Sequence, residues 1–314
     1  MKIQYLTDRP ADCSTVALVM FVTSYDRLND KRLKELDRAC GGTVTTFMES
    51  GEFTGLAGET AVIANPDGYR AERVILVGLG DKKSVTADSY RRAAGMLSRQ
   101  KSLTCCRAAT FHLGTVGDKQ IFQAVIEGYL LGSYLLLEYK TQESDLVQHN
   151  LSELTFAIDN KRLSNRLEKA VERGRITAEG QINVRRLSAI PANDLSPVKF
   201  AREAVKLAEK HDAMTCRVLD QKAIKSEKMG ALLAVAQGSA QPPRFVILDY
   251  KGGRAGQKPV VLVGKGVTFD SGGLSLKAAA LMVEMKGDMT GAAVVLSAMQ
   301  AAAQLKLPLN LVGL

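Results

Sequence analysis

The chain has 314 residues, 46% of them hydrophobic and 24% charged, with a formal net charge of +9. This length suits two ordinary domains, and the balance is that of a globular protein rather than a disordered one. The apolar run Val16 to Val22 is too short to span a bilayer, and Asp8 and Asp12 precede it where a secretory signal would be basic, so a soluble cytoplasmic protein with no membrane contact is expected.

In chain order, strands are predicted over residues 15–22 (TVALVMFV), 42–48 (GTVTTFM), 60–66 (TAVIANP), 73–80 (RVILVGLG) and 108–114 (AATFHLG). Helices are predicted over 26–40, 86–100 and 118–136. Thr86 is placed to cap the second of these, with Ala93, Met96 and Leu97 following at helical spacing. Strands alternating with helices imply a sheet covered by helices. Polar residues 138–153 interrupt the pattern. A strand over 154–158 (LTFAI) and a long helix over about 161–182 follow.

The boundary is expected near residue 160. An N-terminal domain would span 1–160, a connecting helix 161–185, and a second domain 186–314. In that second domain Ser196 and Pro197 suit the start of a helix. Strands fit 215–220, 244–250, 259–266 and 307–314, and a helix fits 288–304. The chain ends on the apolar run LPLNLVGL, and the expectation is a fragment of a longer protein with that strand as an exposed, aggregation-prone edge.

Residues 1–150 hold 18 Lys and Arg against 18 Asp and Glu, so the basic excess lies entirely in residues 151–314, with 24 against 15. A nucleic-acid surface is one reading, and solvated helix faces such as KRLSNRLEKAVERGR are the plainer one, since no basic cluster interleaves with aromatics. Cys13, Cys40, Cys105, Cys106 and Cys216 form an odd set without C-x-x-C spacing, which fits a reducing compartment. His112, His149 and His211 lie far apart, so any metal must be held mainly by oxygen ligands. VILVGLGDKKS (74–84) starts like a dinucleotide loop, but it lacks the third glycine and reads better as a strand-end turn. QGSAQPPRF is not a nucleophile elbow.

Residues 263–277, VGKGVTFDSGGLSLK, are different. PVVLVGKG is apolar enough for a buried strand, which puts Lys265 at its carboxyl end, the usual ligand edge of an α/β sheet. Asp270, Lys277 and Asp288 follow within one short stretch. Singly, Asp270 can form an Asx-turn, Asp288 can cap its helix, and Lys265 can be a surface lysine. Together they set two carboxylates and two amines around one strand edge. Carboxylates of that kind suit a divalent cation, and a tetrahedral intermediate needs a fixed positive charge beside it.

These residues, with EMKGDMTGAA (284–293), VRRLSAIPANDLSP (184–197) and RVILVGLGDKKSVTADSYRRAAG (73–95), closely resemble the leucyl aminopeptidase family of M17 type. The resemblance implies an α/β fold of two domains, a macro-like N-terminal one and a zinc-peptidase-like catalytic one that is incomplete here. It implies a metal-dependent hydrolase that releases N-terminal residues from peptides, built as a cytoplasmic homohexamer. By position, Lys265, Asp270 and Asp288 would be metal ligands, Lys277 the catalytic ammonium, and Met285 part of the substrate side-chain pocket. Two divalent ions, zinc or manganese, would serve the full-length protein. The remaining acidic ligands and the arginine that holds a bicarbonate would lie beyond Leu314, so the fragment alone is expected to be inactive. Ala278 and Leu281 depart from the family pattern and put the loop 278–284 in doubt. A DNA-binding relative and a nucleotide or ADP-ribose module are the competing readings.

Overall fold

The computed structural model describes residues 1–24, 30–141, 151–158 and 164–314. Its contacts divide the chain into two units, Met1–Ala178 and Glu179–Leu314. The boundary expected near residue 160 and the first residues of the helix expected over 26–40 lie outside the described residues.

The first unit is built on six strands: β1 (Lys2–Leu6), β2 (Ala17–Val22), β3 (Thr60–Ala64), β4 (Arg73–Gly78), β5 (Ala108–His112) and β6 (Glu153–Ala157). They lie in the order β1-β6-β5-β2-β4-β3, parallel except for β3 against β4. Central β2 (ALVMFV) is buried along its whole length, as expected of a parallel strand with both faces covered. Its period of two feeds two cores. Ala17, Val19 and Phe21 enter one, with Ile75 and Val77. Leu18, Met20 and Val22 enter the other, with Val74 and Leu76.

The first core is closed by α3 (Ala87–Leu97) and α5 (Lys119–Ser133), through residues such as Ala94, Leu97, Phe122 and Ile126. The second is closed by Leu33 and Leu36 of α1 (Lys31–Ala39) and by Val44 of α2 (Thr43–Ser50). A short α4 (Lys101–Thr104) leads into β5. Asp30 and Asp118 cap α1 and α5 by accepting from Arg32 N and Gln120 N, and the backbone N–H of Thr86 donates to Ser89 Oγ at the start of α3.

Two expectations fail here. GTVTTFM forms α2 rather than a strand. Gly42 takes a left-handed conformation that ends one helix and starts the next, and Asp37 accepts from both Thr45 N and Thr45 Oγ1, so local hydrogen bonds override the β-propensity of Val and Thr. The strand β1 was not anticipated. KIQYL is partly polar, and only its parallel pairing with β6 defines it.

Helix α6 (Ser164–Ala189) runs through the division between the units. The second unit then contains α7 (Pro197–Ala208), β7 (Met214–Leu219), α8 (Gln221–Ser226), α9 (Gly230–Ala236), β8 (Phe245–Lys251), β9 (Val260–Leu262), α10 (Ala279–Met282), α11 (Thr290–Gln304) and β10 (Asn310–Gly313). Ser196 caps α7 by accepting from Lys199 N, with Pro197 at its first position. The sheet order is β7-β8-β10-β9, with only β10 and β9 parallel. Its core joins Ala204 and Leu207 of α7 to Leu248, Tyr250, Leu296 and Met299.

Here too the structure corrects the sequence reading. The strand from LPLNLVGL is not an edge: β10 is paired on both sides, to β8 and to β9. The edges are β7 and β9, and β9, expected to be buried, leaves Val260 and Val261 exposed. Apolar character alone does not bury a strand that has a neighbour on one side only.

Candidate metal and ligand site

The four charged residues singled out from the sequence meet at the carboxyl end of β9. Just beyond that strand, Gly264 N donates to Leu314 O at 2.9 Å, tying the turn to the end of β10. Helix α11 crosses directly against it. A Cβ on Gly264 would stand 2.4 Å from Gly291 O, and one on Gly291 would stand 2.8 Å from Lys265 N. Only glycine permits that approach. The sequence reading passed over this pair, and its one signal was a glycine on each side of the contact.

The approach fixes Lys265 twice. Its carbonyl accepts from Ala292 N at 2.9 Å, satisfying one of the free donors in the first turn of α11. Its ammonium lies 2.9 Å from Asp288 Oδ2. Asp288 does not cap α11: the N-cap is Met289, without a side-chain hydrogen bond. Instead, Asp288 Oδ2 is buried against the Lys265 ammonium. A metal cation at this oxygen would replace the Lys265 ammonium there.

Asp270 and Lys277 form the second pair. Asp270 Oδ1 accepts from Gly272 N at 2.9 Å, and Oδ2 accepts from Lys277 Nζ at 2.5 Å. The Asx-turn and the ion pair therefore coexist. Gly272 has φ +93°, a left-handed turn that folds the loop back so that Lys277 N reaches Ser271 O at 2.9 Å. The Lys277 ammonium and the Gly272 amide hold the Asp270 carboxyl below its usual range, with Lys265 adding to the effect. Asp288, followed by Asp270, holds the Lys265 ammonium above its usual range. Lys265 thus keeps its proton until a cation competes for the lone pair.

Lys265, Asp270 and Asp288 suit a hard or borderline divalent cation in kind, as two carboxylates and a latent amine, though three ligands fall short of a full shell. Among the described residues no group of three or more His, Cys, Asp or Glu side chains gathers as a metal site. Met285 lies one turn before Asp288, with its carbonyl accepting from Asp288 N at 3.3 Å, and its side chain is half-buried. A cavity of about 660 Å³ adjoins the same turns, lined by Gly264, Gly266, Ser271, Phe269, Leu232 and Val246 among others. None of the five predicted site residues lines it. Its walls suit an apolar group, whereas the charged pairs suit a cation.

The turn after β4 is closed to phosphate. Gly78 N and Gly80 N already donate to Glu59 O and Gly55 O, and Asp81 accepts from Lys83 N. This favours the strand-end-turn reading of GLGDKK. Among the described residues no helix is long and apolar enough to cross a membrane.

Residues 182–314 match the family model described as the cytosol aminopeptidase family, catalytic domain, and residues 19–143 match the N-terminal domain of the same family. A probable cytosol aminopeptidase of Syntrophotalea carbinolica is 40% identical over 92% of this chain and 59% of its own length. A cytosol aminopeptidase of Pseudomonas aeruginosa is 36% identical over 98% of this chain and 62% of its own. The solved structure of the bottromycin maturation enzyme BotP in complex with Mn has a TM-score of 0.76 at 32% identity, covering 95% of this chain and 58% of that one. A mutant of tomato leucine aminopeptidase has a TM-score of 0.81 at 26% identity over 100% and 61%. The chain spans about three-fifths of the length of the curated relatives it matches.

Proposed function

The chain belongs to the cytosol aminopeptidase (M17) family, and on that premise we propose that it is the part of a metal-dependent aminopeptidase that carries the lysine-rich half of the active centre. The observation that carries this reading is the convergence of Lys265, Asp270, Lys277 and Asp288 into two ion pairs that act on one another at the end of β9. The substrate class is peptides with a free N-terminus and a leucine-type first residue, with Met285 facing that side chain. The working protein is a cytoplasmic homohexamer.

Lys265, Asp270 and Asp288 would hold the cation. When bound, divalent zinc or manganese supplies Lewis-acid polarisation of the carbonyl and a more acidic water. Asp288 would ligate through the buried oxygen that now faces Lys265. Lys277 would direct its ammonium to the carbonyl oxygen, where negative charge develops. Three ligands serve one ion weakly, so this chain alone binds at most one and turns over slowly or not at all.

Leucine p-nitroanilide hydrolysis with added Mn²⁺ tests the reading. The 314-residue chain is compared with the same chain joined to the segment by which the Syntrophotalea relative extends past the matched region. Activity in the joined protein only is expected. Comparable turnover by both would remove the need for further ligands, and two tightly held metal equivalents in the 314-residue chain would do the same.

A further inference from the structure

Apart from the charged pairs, the described residues bring two nucleophilic sulfurs together in the first unit. Cys105 and Cys106 follow α4, and their Sγ atoms lie 3.9 Å apart. Cys105 is exposed and Cys106 is buried. Arg73 Nη1 donates to Cys105 Sγ at 3.6 Å, and Cys106 Sγ donates to Ser102 O at 3.3 Å. The hydroxyl of that same Ser102 is buried without a hydrogen-bond partner.

We propose that Cys105 and Cys106 form a two-thiolate site for a soft monovalent metal cation, Cu(I) by chemistry. Two sulfurs at 3.9 Å that share one ion at about 2.3 Å subtend roughly 115° at the metal, and rotation of the exposed Cys105 side chain opens the pair toward the near-linear arrangement of a two-coordinate monovalent ion. Thiolate ligation selects soft ions over the hard cations suited to Asp270 and Asp288. Charge selects among the soft ones. Two S–H bonds break, two metal–sulfur bonds form, two protons pass to water and no electron changes hands. A monovalent ion leaves a complex of net charge −1, which the Arg73 guanidinium stabilises, whereas a divalent ion leaves a neutral one that gains little from it.

Burial, and then the Cys105 sulfur, push the Cys106 thiol up to about 11, with Arg73 opposing and Glu72 reinforcing the shift. The ion must displace that proton, so affinity rises with pH.

The test is anaerobic titration of the purified 314-residue chain with Cu(I) in competition with bicinchoninate. The wild type is expected to withdraw one equivalent. Cys105→Ser, at an exposed position where folding is not at stake, should withdraw none, and Cys40→Ser and Cys216→Ser should match the wild type. Arg73→Gln should hold Cu(I) about tenfold more weakly, the worth of one charge-assisted hydrogen bond. Copper left with the chelator by the wild type, or copper kept by Cys105→Ser, overturns the site. Zn²⁺ held as tightly as Cu(I) overturns the choice of a monovalent ion.

Discussion

Lys277 and Asp288 differ in what their loss should reveal. Lys277 sits on the substrate side of Asp270 in the proposed reaction, and its charge matters most where the carbonyl oxygen becomes negative. In the joined, active protein Lys277→Ala should therefore lower kcat by ~10²–10³ with a smaller change in KM, while the bound metal, counted by elemental analysis, stays the same. A near-normal kcat would take Lys277 out of the chemistry. Asp288→Asn should act at the other end. The amide keeps the shape but cannot offer an anionic oxygen, so Mn²⁺ binding to the 314-residue chain should fall below detection in calorimetry while the urea midpoint moves little. Unchanged Mn²⁺ binding would mean that the buried Oδ2 is structural.

Elements decide which of these contacts exist at all. The Asp270–Lys277 pair was legible in the sequence because a single glycine turn closes it. The Lys265–Asp288 pair was legible only as proximity in the chain: its geometry depends on α11 packing on the turn after β9 through Gly264 and Gly291, a long-range contact that no local pattern encodes. The same limit explains β10. Its apolar run was plain, but its insertion between β8 and β9 depends on pairing with strands far away in the sequence. For α2 the difficulty was local, since Asp37 outweighs a β-rich composition through hydrogen bonds to a residue in the next helix.

A network in the first unit allows a stability test at this scale. Buried Glu127 of α5 accepts from Arg91 of α3 at 2.8 Å, from Gln123 at 2.8 Å and from Thr177 of α6 at 3.2 Å. Glu127→Ala removes the shared acceptor, leaving Arg91 only Asp88 and Thr177 only Arg173 O, and should cost about 1–3 kcal/mol, seen as a lower urea midpoint at unchanged m-value. Glu127→Gln keeps part of the network and should cost less. Equal losses would show that packing, not hydrogen bonding, holds these helices.

The two units manage their apolar surface differently, and this governs the behaviour of the whole molecule in solution. In the first, both faces of the sheet are covered. In the second, Val260, Val261 and Val263 stand exposed along the β9 edge, with Leu274, Leu276, Leu281 and Val283 exposed in the segments that follow. A free apolar strand edge is a template for pairing with another chain. Net charge opposes it: at +9 two copies repel, and the repulsion reaches ~30 Å at 0.01 M salt but only ~3 Å at 1 M. Self-association measured by sedimentation velocity should therefore strengthen as salt rises, the reverse of what an ionic interface would do. Val261→Lys places a charge on the edge, as natural edge strands often do, and should abolish the salt-induced association without changing the unfolding free energy from urea titration by more than the ~0.5 kcal/mol typical of a surface change. Association that weakens with salt, or that survives Val261→Lys, would locate the contact elsewhere on the molecule.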